Sequence, residues 1–183
     1  VRLAPRAAAE PDMVAELVAV CEFLPLAIAI IASRFAARHT WTMADLLSEV
    51  QTSRRLLTAA SEHATVQAAF DLSYRYLPPG RQCFFRLLGL TPGVDIDEYA
   101  AAALTGTTLD EAGRYLDELY TDHLIEEIAA RRYRMHDLIR AYTNTLIDPE
   151  DMPEQALDRL LDYYQHTANR ADTLIASPTR PTT

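Results

Sequence analysis

The chain contains no lysine, so all 17 of its basic residues are arginine. Within these residues that absence excludes a Walker-type phosphate-binding lysine, a Schiff-base lysine and a lysine general base. Glycine is scarce, at 5 of 183 residues, and no phosphate-cradling glycine-rich loop is present. Alanine and leucine abound instead, which favours helix. The 2 cysteines, Cys21 and Cys83, lie far apart in apolar helical contexts. They read as buried free thiols in a reducing cytoplasm rather than as a disulfide. The longest apolar run, Phe23 to Ala32, is broken by Pro25 and too short to span a bilayer, and no signal peptide is visible. His39, His63, His123 and His166 stand isolated, without His-x-x-x-His, Cys-x-x-Cys or Gly-x-Ser-x-Gly spacing. Neither a metal site nor a nucleophile elbow is expected.

The net charge of −9 is uneven, with −1 over residues 1–62, −5 over 63–148 and −3 over 149–183. Such an acidic chain is no obvious binder of nucleic acid or membrane. Its length suits one or two small domains. The missing initiator Met and the linker-like end Ser177-Pro178-Thr179-Arg180-Pro181-Thr182-Thr183 suggest a piece of a longer protein.

Hydrophobic periodicity predicts a mainly α chain. Residues 11–39 read as two helices, the first striped by Val14, Leu17, Val18 and Cys21, the second buried from Leu26 to Ala36. Thr42 with Asp45 predicts an N-cap with an acidic N3, opening a helix whose core residues are Leu46, Leu47 and Val50. These form a helical subdomain over 1–62. A second unit over 63–148 starts with a helix from Val66 to Leu77, stopped by Pro78-Pro79, and one from Gln82 to Leu88. A turn at Thr91-Pro92-Gly93 precedes a short helix from Ile96 to Leu104. Thr108-Leu109-Asp110-Glu111 is a capping box, opening a helix striped by Leu109, Ala112, Leu116 and Leu119. Leu124 to Ile128 and Arg132 to Met135 pair as a hairpin around Ala129-Ala130-Arg131. Three helices and a short β-hairpin are the plan of a winged helix-turn-helix, with a further helix from Asp137 to Ile147 behind it. Residues 149–183 hold a long C-terminal amphipathic helix, with Leu157, Leu160, Leu161, Tyr164, Ala168, Ala171 and Ile175 inside, and then a linker.

The most informative stretch is Arg132-Tyr133-Arg134-Met135-His136-Asp137-Leu138-Ile139-Arg140. At period 2, Tyr133 and Met135 share one strand face, and Arg132, Arg134 and His136 the other. Asp137 reads as the N-cap of the next helix, whose inner stripe is Leu138, Ile139, Tyr142 and Leu146. His136 is then left on the polar side, beside a helix N-terminus and two arginines, where a phosphate is well received.

Several pieces line up in one order. Cys21-Glu22-Phe23-Leu24-Pro25-Leu26-Ala27-Ile28 resembles the Gly-Leu-Pro-Leu-Ala motif of the STAND-class NB-ARC ATPases, with Phe23 at the place of the glycine. Phe70-Asp71-Leu72-Ser73-Tyr74, Leu77-Pro78-Pro79 and Cys83-Phe84-Phe85-Arg86-Leu87-Leu88 resemble the start of that family's winged-helix domain. Met135-His136-Asp137 resembles its Met-His-Asp motif. The branch most similar is that of the actinobacterial antibiotic regulators of SARP type, in which tetratricopeptide repeats follow the ATPase. The resemblance implies that Pro25 packs on the adenine of ADP and that His136 contacts its β-phosphate, with Leu24, Leu26, Met135 and Asp137 supporting them. It also implies that ADP or ATP with magnesium is held in a longer protein by a P-loop module of the same chain. That module is not in these residues, and no catalysis of their own is expected.

Bland readings stand beside these. Pro25 reads equally as the N1 residue of a buried helix, and His136 as a strand-end residue bonded to backbone. Arg131, Arg132 and Arg134 read as a DNA-contacting wing or as a charged hairpin edge that discourages further pairing. The helix in the recognition position presents Asp110, Glu111, Asp117, Glu118 and Asp122 against Arg114 alone, a face that repels phosphates. The expectation is therefore a cytoplasmic regulatory segment making no direct DNA contact. A winged-helix DNA-binding regulator is the alternative, and a small helical enzyme the third reading.

Overall fold

A computed structural model describes residues 4–57 and 64–175. Proline opens α1 (Pro11–Val20) and α2 (Pro25–Ala37), where its missing N–H is no loss. With α3 (Met43–Leu57) and α4 (Ala64–Arg75) these form one helical bundle, in which α3 packs on α1 and α4, and α2 on α4. Leu17, Cys21, Ile31, Phe35, Leu46 and Val50 belong to its core. The start of α3 follows the sequence reading. Asp45 donates its N–H to Thr42 Oγ1 at 3.1 Å, and its carboxylate accepts the Thr42 N–H at 2.9 Å. The expected division at residues 62–63 lies outside the described residues.

A second core gathers around α5 (Pro79–Leu88), α6 (Glu98–Thr105) and α7 (Leu109–Thr121), where Phe84, Phe85, Leu104, Leu116 and Leu119 are fully buried. The two cores share elements. Helix α2 gives Ile31 to the first and Ile30 to the second, and α4 gives Leu72 and Phe70 in the same way. The capping box of α7 forms as expected, with Glu111 N–H donating to Thr108 Oγ1 at 3.3 Å and Thr108 N–H to the Glu111 carboxylate at 3.2 Å. Cys21 is buried and Cys83 only half-buried, and both are free.

The region expected as one helix from Ile96 to Leu104 is corrected. Ile96–Asp97 is a short strand, β1, and α6 starts at Glu98, capped by the Asp97 carboxylate, which accepts the Ala100 N–H at 2.9 Å. Ile96 pairs with Tyr133 and Asp97 with Arg132, so a distant partner decides the conformation. The hairpin is β2 (Glu126–Ala129) and β3 (Arg132–Arg134), and the antiparallel sheet has the order β1-β3-β2. Ala129 pairs with Arg132, so the turn is only Ala130-Arg131, with Arg131 left-handed at φ 56 and a register shift between Glu127 and Ala129.

Two further expectations change beyond the sheet. In α8 (Asp137–Thr145), Leu138 is partly exposed, and Thr143 is buried beside Ile139 and Tyr142 instead. In α9 (Pro153–Ile175), only Ala156 and Leu160 are buried, and Leu161, Tyr164, Ala168, Ala171 and Ile175 face solvent. Helix α9 packs on α6, where Arg159 donates to the Ala103 and Leu104 carbonyls at 3.2 and 2.8 Å. At 1.5 Å per residue α6 is about 12 Å long and α9 about 34 Å. Leu157 and Tyr163 still pack against the second core, and past them α9 outruns its partner and is exposed from residue 164 on. No described helix is long and apolar enough to cross a membrane.

Candidate functional site

The strand β3 alternates as its sequence dictates. Tyr133 and Met135 are buried, while Arg132, Arg134 and His136 are exposed. At its end the chain turns directly into α8, and His136 is the N-cap of that helix. Its Nδ1 accepts the Leu138 N–H at 3.2 Å. The expected cap, Asp137, is corrected to the N1 position, one residue inside the helix, where its carboxylate acts as a negative charge in the first turn. A nitrogen that accepts cannot also carry the proton, so the neutral imidazole holds it on Nε2. That leaves His136 with one N–H donor not used by the cap.

His136 lines an open groove of about 460 Å³ with Pro92, Gly93, Val94, Arg134, Met135, Asp137 and Arg140. Two arginines and a helix N-terminus around one carboxylate make it a favourable place for an anion. Arg140 is fixed as part of the wall. Its Nη1 donates to the Thr91 and Gly93 carbonyls at 2.8 and 3.1 Å, and Nη2 to Gly93 at 3.1 Å. Its Nε is buried without a hydrogen-bond partner. Arg134 Nη2 reaches Glu126 across the hairpin at 2.9 Å. Sequence reasoning placed Arg134 on the same face as His136 but counted neither it nor Arg140 among the site residues. For Arg140 the usable signal was spacing, since it follows His136 by four on a helix. Among the described residues no cluster of three or more His, Cys, Asp or Glu is placed to hold a metal ion.

Pro25 is not brought to this groove. It is exposed at N1 of α2, and Leu24 is the N-cap, while Leu24 and Leu26 are partly buried against the core. Before it, Glu22 and Phe23 are both left-handed, at φ 53 and 58, and the Phe23 ring is 72% exposed. This backbone favours glycine, the residue that the resembling motif carries at this place. The ring points to water and fills no space within the described residues.

Every arginine of the hairpin is held by an acid. Arg131 bonds the buried Glu98, Arg132 bonds Asp95, and Arg134 bonds Glu126. Glu118 on α7 and Asp122 at its C-cap receive Arg81 at 2.7 and 3.3 Å. Burial raises the Asp122 carboxyl above the ordinary range, and the guanidinium groups of Arg81 and Arg34 oppose that shift. Asp110, Arg114 and Asp117 remain exposed on the same helix.

No family model matches the chain. It is similar to the regulatory protein AfsR of Streptomyces griseus, with 44% identity over 170 residues, covering 90% of this chain and 18% of that protein. Regulatory protein AfsR of Streptomyces coelicolor matches at 41% over 172 residues, covering 89% and 17%. The homologues of this chain are thus AfsR regulatory proteins, and the chain spans less than a fifth of their length.

Proposed function

We propose that the chain is a non-catalytic regulatory segment of a transcriptional regulator, and that its groove at His136 takes the terminal phosphate of a nucleoside diphosphate. The observation that carries this reading is the groove itself. In a chain of net charge −9, a histidine N–H, two arginines and a helix N-terminus converge there. The residues fit a diphosphate: His136 has a donor outside the cap, Arg140 adds fixed positive charge to the wall, and the one lining carboxylate is Asp137. When bound, the nucleotide would supply the charge that ties this segment to a P-loop module elsewhere in a longer protein. A third phosphate would change the affinity and so shift the balance between closed and open arrangements. The names of the relatives support regulation in general and do not speak to the nucleotide. Calorimetry of ADP and ATP against such a longer protein, with and without His136→Ala, tests the reading. Unchanged ADP affinity in a folded variant would remove it.

A second reading, a DNA-binding winged helix, is favoured by a specific observation. The order α5-β1-α6-α7-β2-β3 is compatible with a winged helix, and the relatives are regulatory proteins by name. Against it stand the exposed acids of α7 and the three hairpin arginines, each paired with a carboxylate. Cations already spent on acids displace few counterions from DNA. Titration with duplex DNA at stated salt decides between the two. A sequence-selective complex tighter than roughly micromolar, the strong end of ordinary non-specific binding, would establish the second.

A further inference from the structure

The groove at His136 contains a second cation whose present partner is readily given up, an inference that rests on the phosphate reading above. Arg134 ends β3 two residues before His136, and both side chains are exposed and line the groove. Across the ladder Arg134 is paired in register with Glu126, and its Nη2 donates to that carboxylate at 2.9 Å. Both side chains are about half exposed, at 51% and 54%, so water and salt screen the pair. Arg140 is held differently. Two backbone carbonyls occupy its Nη groups, so it adds charge to the wall but is not free to turn.

We propose that Arg134 is the second phosphate-binding residue of this groove and that Glu126 is its intramolecular competitor. Without an anion, the carboxylate holds the guanidinium at the rim. A terminal phosphate offers more charge and three acceptor oxygens, and it draws the planar guanidinium away from Glu126. Glu126 then stands unpaired near the bound anion and opposes it. The same acid therefore shields the empty site from weakly charged anions and lowers its affinity for strongly charged ones.

Calorimetric titration of the chain with inorganic pyrophosphate tests this. Arg134→Gln should weaken binding about ten-fold, the loss of one charge-assisted contact. Glu126→Gln should tighten it about two- to five-fold, the value of an exposed pair. In the double variant the gain from Glu126→Gln should vanish, because Glu126 acts through Arg134. Thermal melts of each variant show that the fold is kept. If both single variants leave affinity unchanged while His136→Ala lowers it, the competitor model falls and the phosphate reading survives. If the wild-type chain gives no saturable response to pyrophosphate, both fall together.

Discussion

His136 and Leu138 are joined by a hydrogen bond of 3.2 Å from the Leu138 N–H to the histidine Nδ1, so the ring caps α8 through one nitrogen and leaves the other outside the cap. The cap and the proposed phosphate contact separate by substitution. His136→Ala should remove the cap and lower stability by about 1 kcal/mol. In a longer protein with its nucleotide module, it should weaken ADP by roughly one to two orders of magnitude, the loss of a hydrogen bond to a charged group. His136→Asn should preserve the cap, since Asn is a favoured N-cap, yet lose the reach to phosphate. Urea unfolding of the chain and ADP calorimetry read the two effects. Asp137→Ala should cost only about 0.3–1 kcal/mol, because that carboxylate interacts with the helix dipole without capping it.

Phe23→Gly should stabilise the chain. A left-handed residue with a side chain is strained by about 1–2 kcal/mol, and the added chain entropy of glycine returns about 0.5–1 kcal/mol of that. The net gain expected in urea unfolding is roughly 0.5–1 kcal/mol. Phe23→Val should do the reverse, since a β-branched residue at φ 58 is worse still. A loss of stability in Phe23→Gly would mean that the exposed ring has a partner.

Gly89→Ala should destabilise by about 1–3 kcal/mol, the usual cost of overpacking. A Cβ at Gly89 would lie 2.1 Å from Thr143 Oγ1 and 2.8 Å from its Cβ. Thr143 is fully buried in α8 and cannot swing aside. Adding Thr143→Ala should recover only part of the loss, because the second clash remains. Full additivity of the two changes in thermal melts would contradict this contact.

Acid should loosen the joint between α8 and α9. Arg86 holds the buried Asp151 carboxylate through two bonds of 2.5 Å, and this guanidinium keeps the carboxyl below the ordinary range. A carboxyl with a folded pKa below its unfolded value of about 3.9 adds stability above that value and loses it as pH falls through the folded one. The Asp151→Asn variant should be less stable at neutral pH by about 3 kcal/mol, the cost of leaving Arg86 unpaired. It should also show a flatter fall of stability below pH of about 4. Equal slopes in wild type and variant would assign the acid sensitivity to other groups.

What was legible in the sequence was what neighbours in the chain decide. The caps at Thr42 and Thr108, the proline start of α2 and the alternation of β3 all depend on residues a few positions apart. The Met-His-Asp junction belongs here too, except that two adjacent side chains competed for one cap. His136 took it because the helix begins one residue earlier than an aspartate cap requires.

What only the tertiary structure decided depends on partners distant in sequence. Ile96 looks helical by its neighbours, yet it is a strand residue because Tyr133 pairs with it. The stripe of α9 is apolar in sequence, but burial needs an opposing surface: Leu160 and Tyr163 meet the core, while Leu161, on another side of the helix, faces solvent. The groove likewise forms only because the Pro92-Gly93 turn, far away in the chain, closes over Arg140 and faces His136. Local hydrogen bonds choose the elements, while the grouping of Arg134, His136 and Arg140 into one site is set by packing between them.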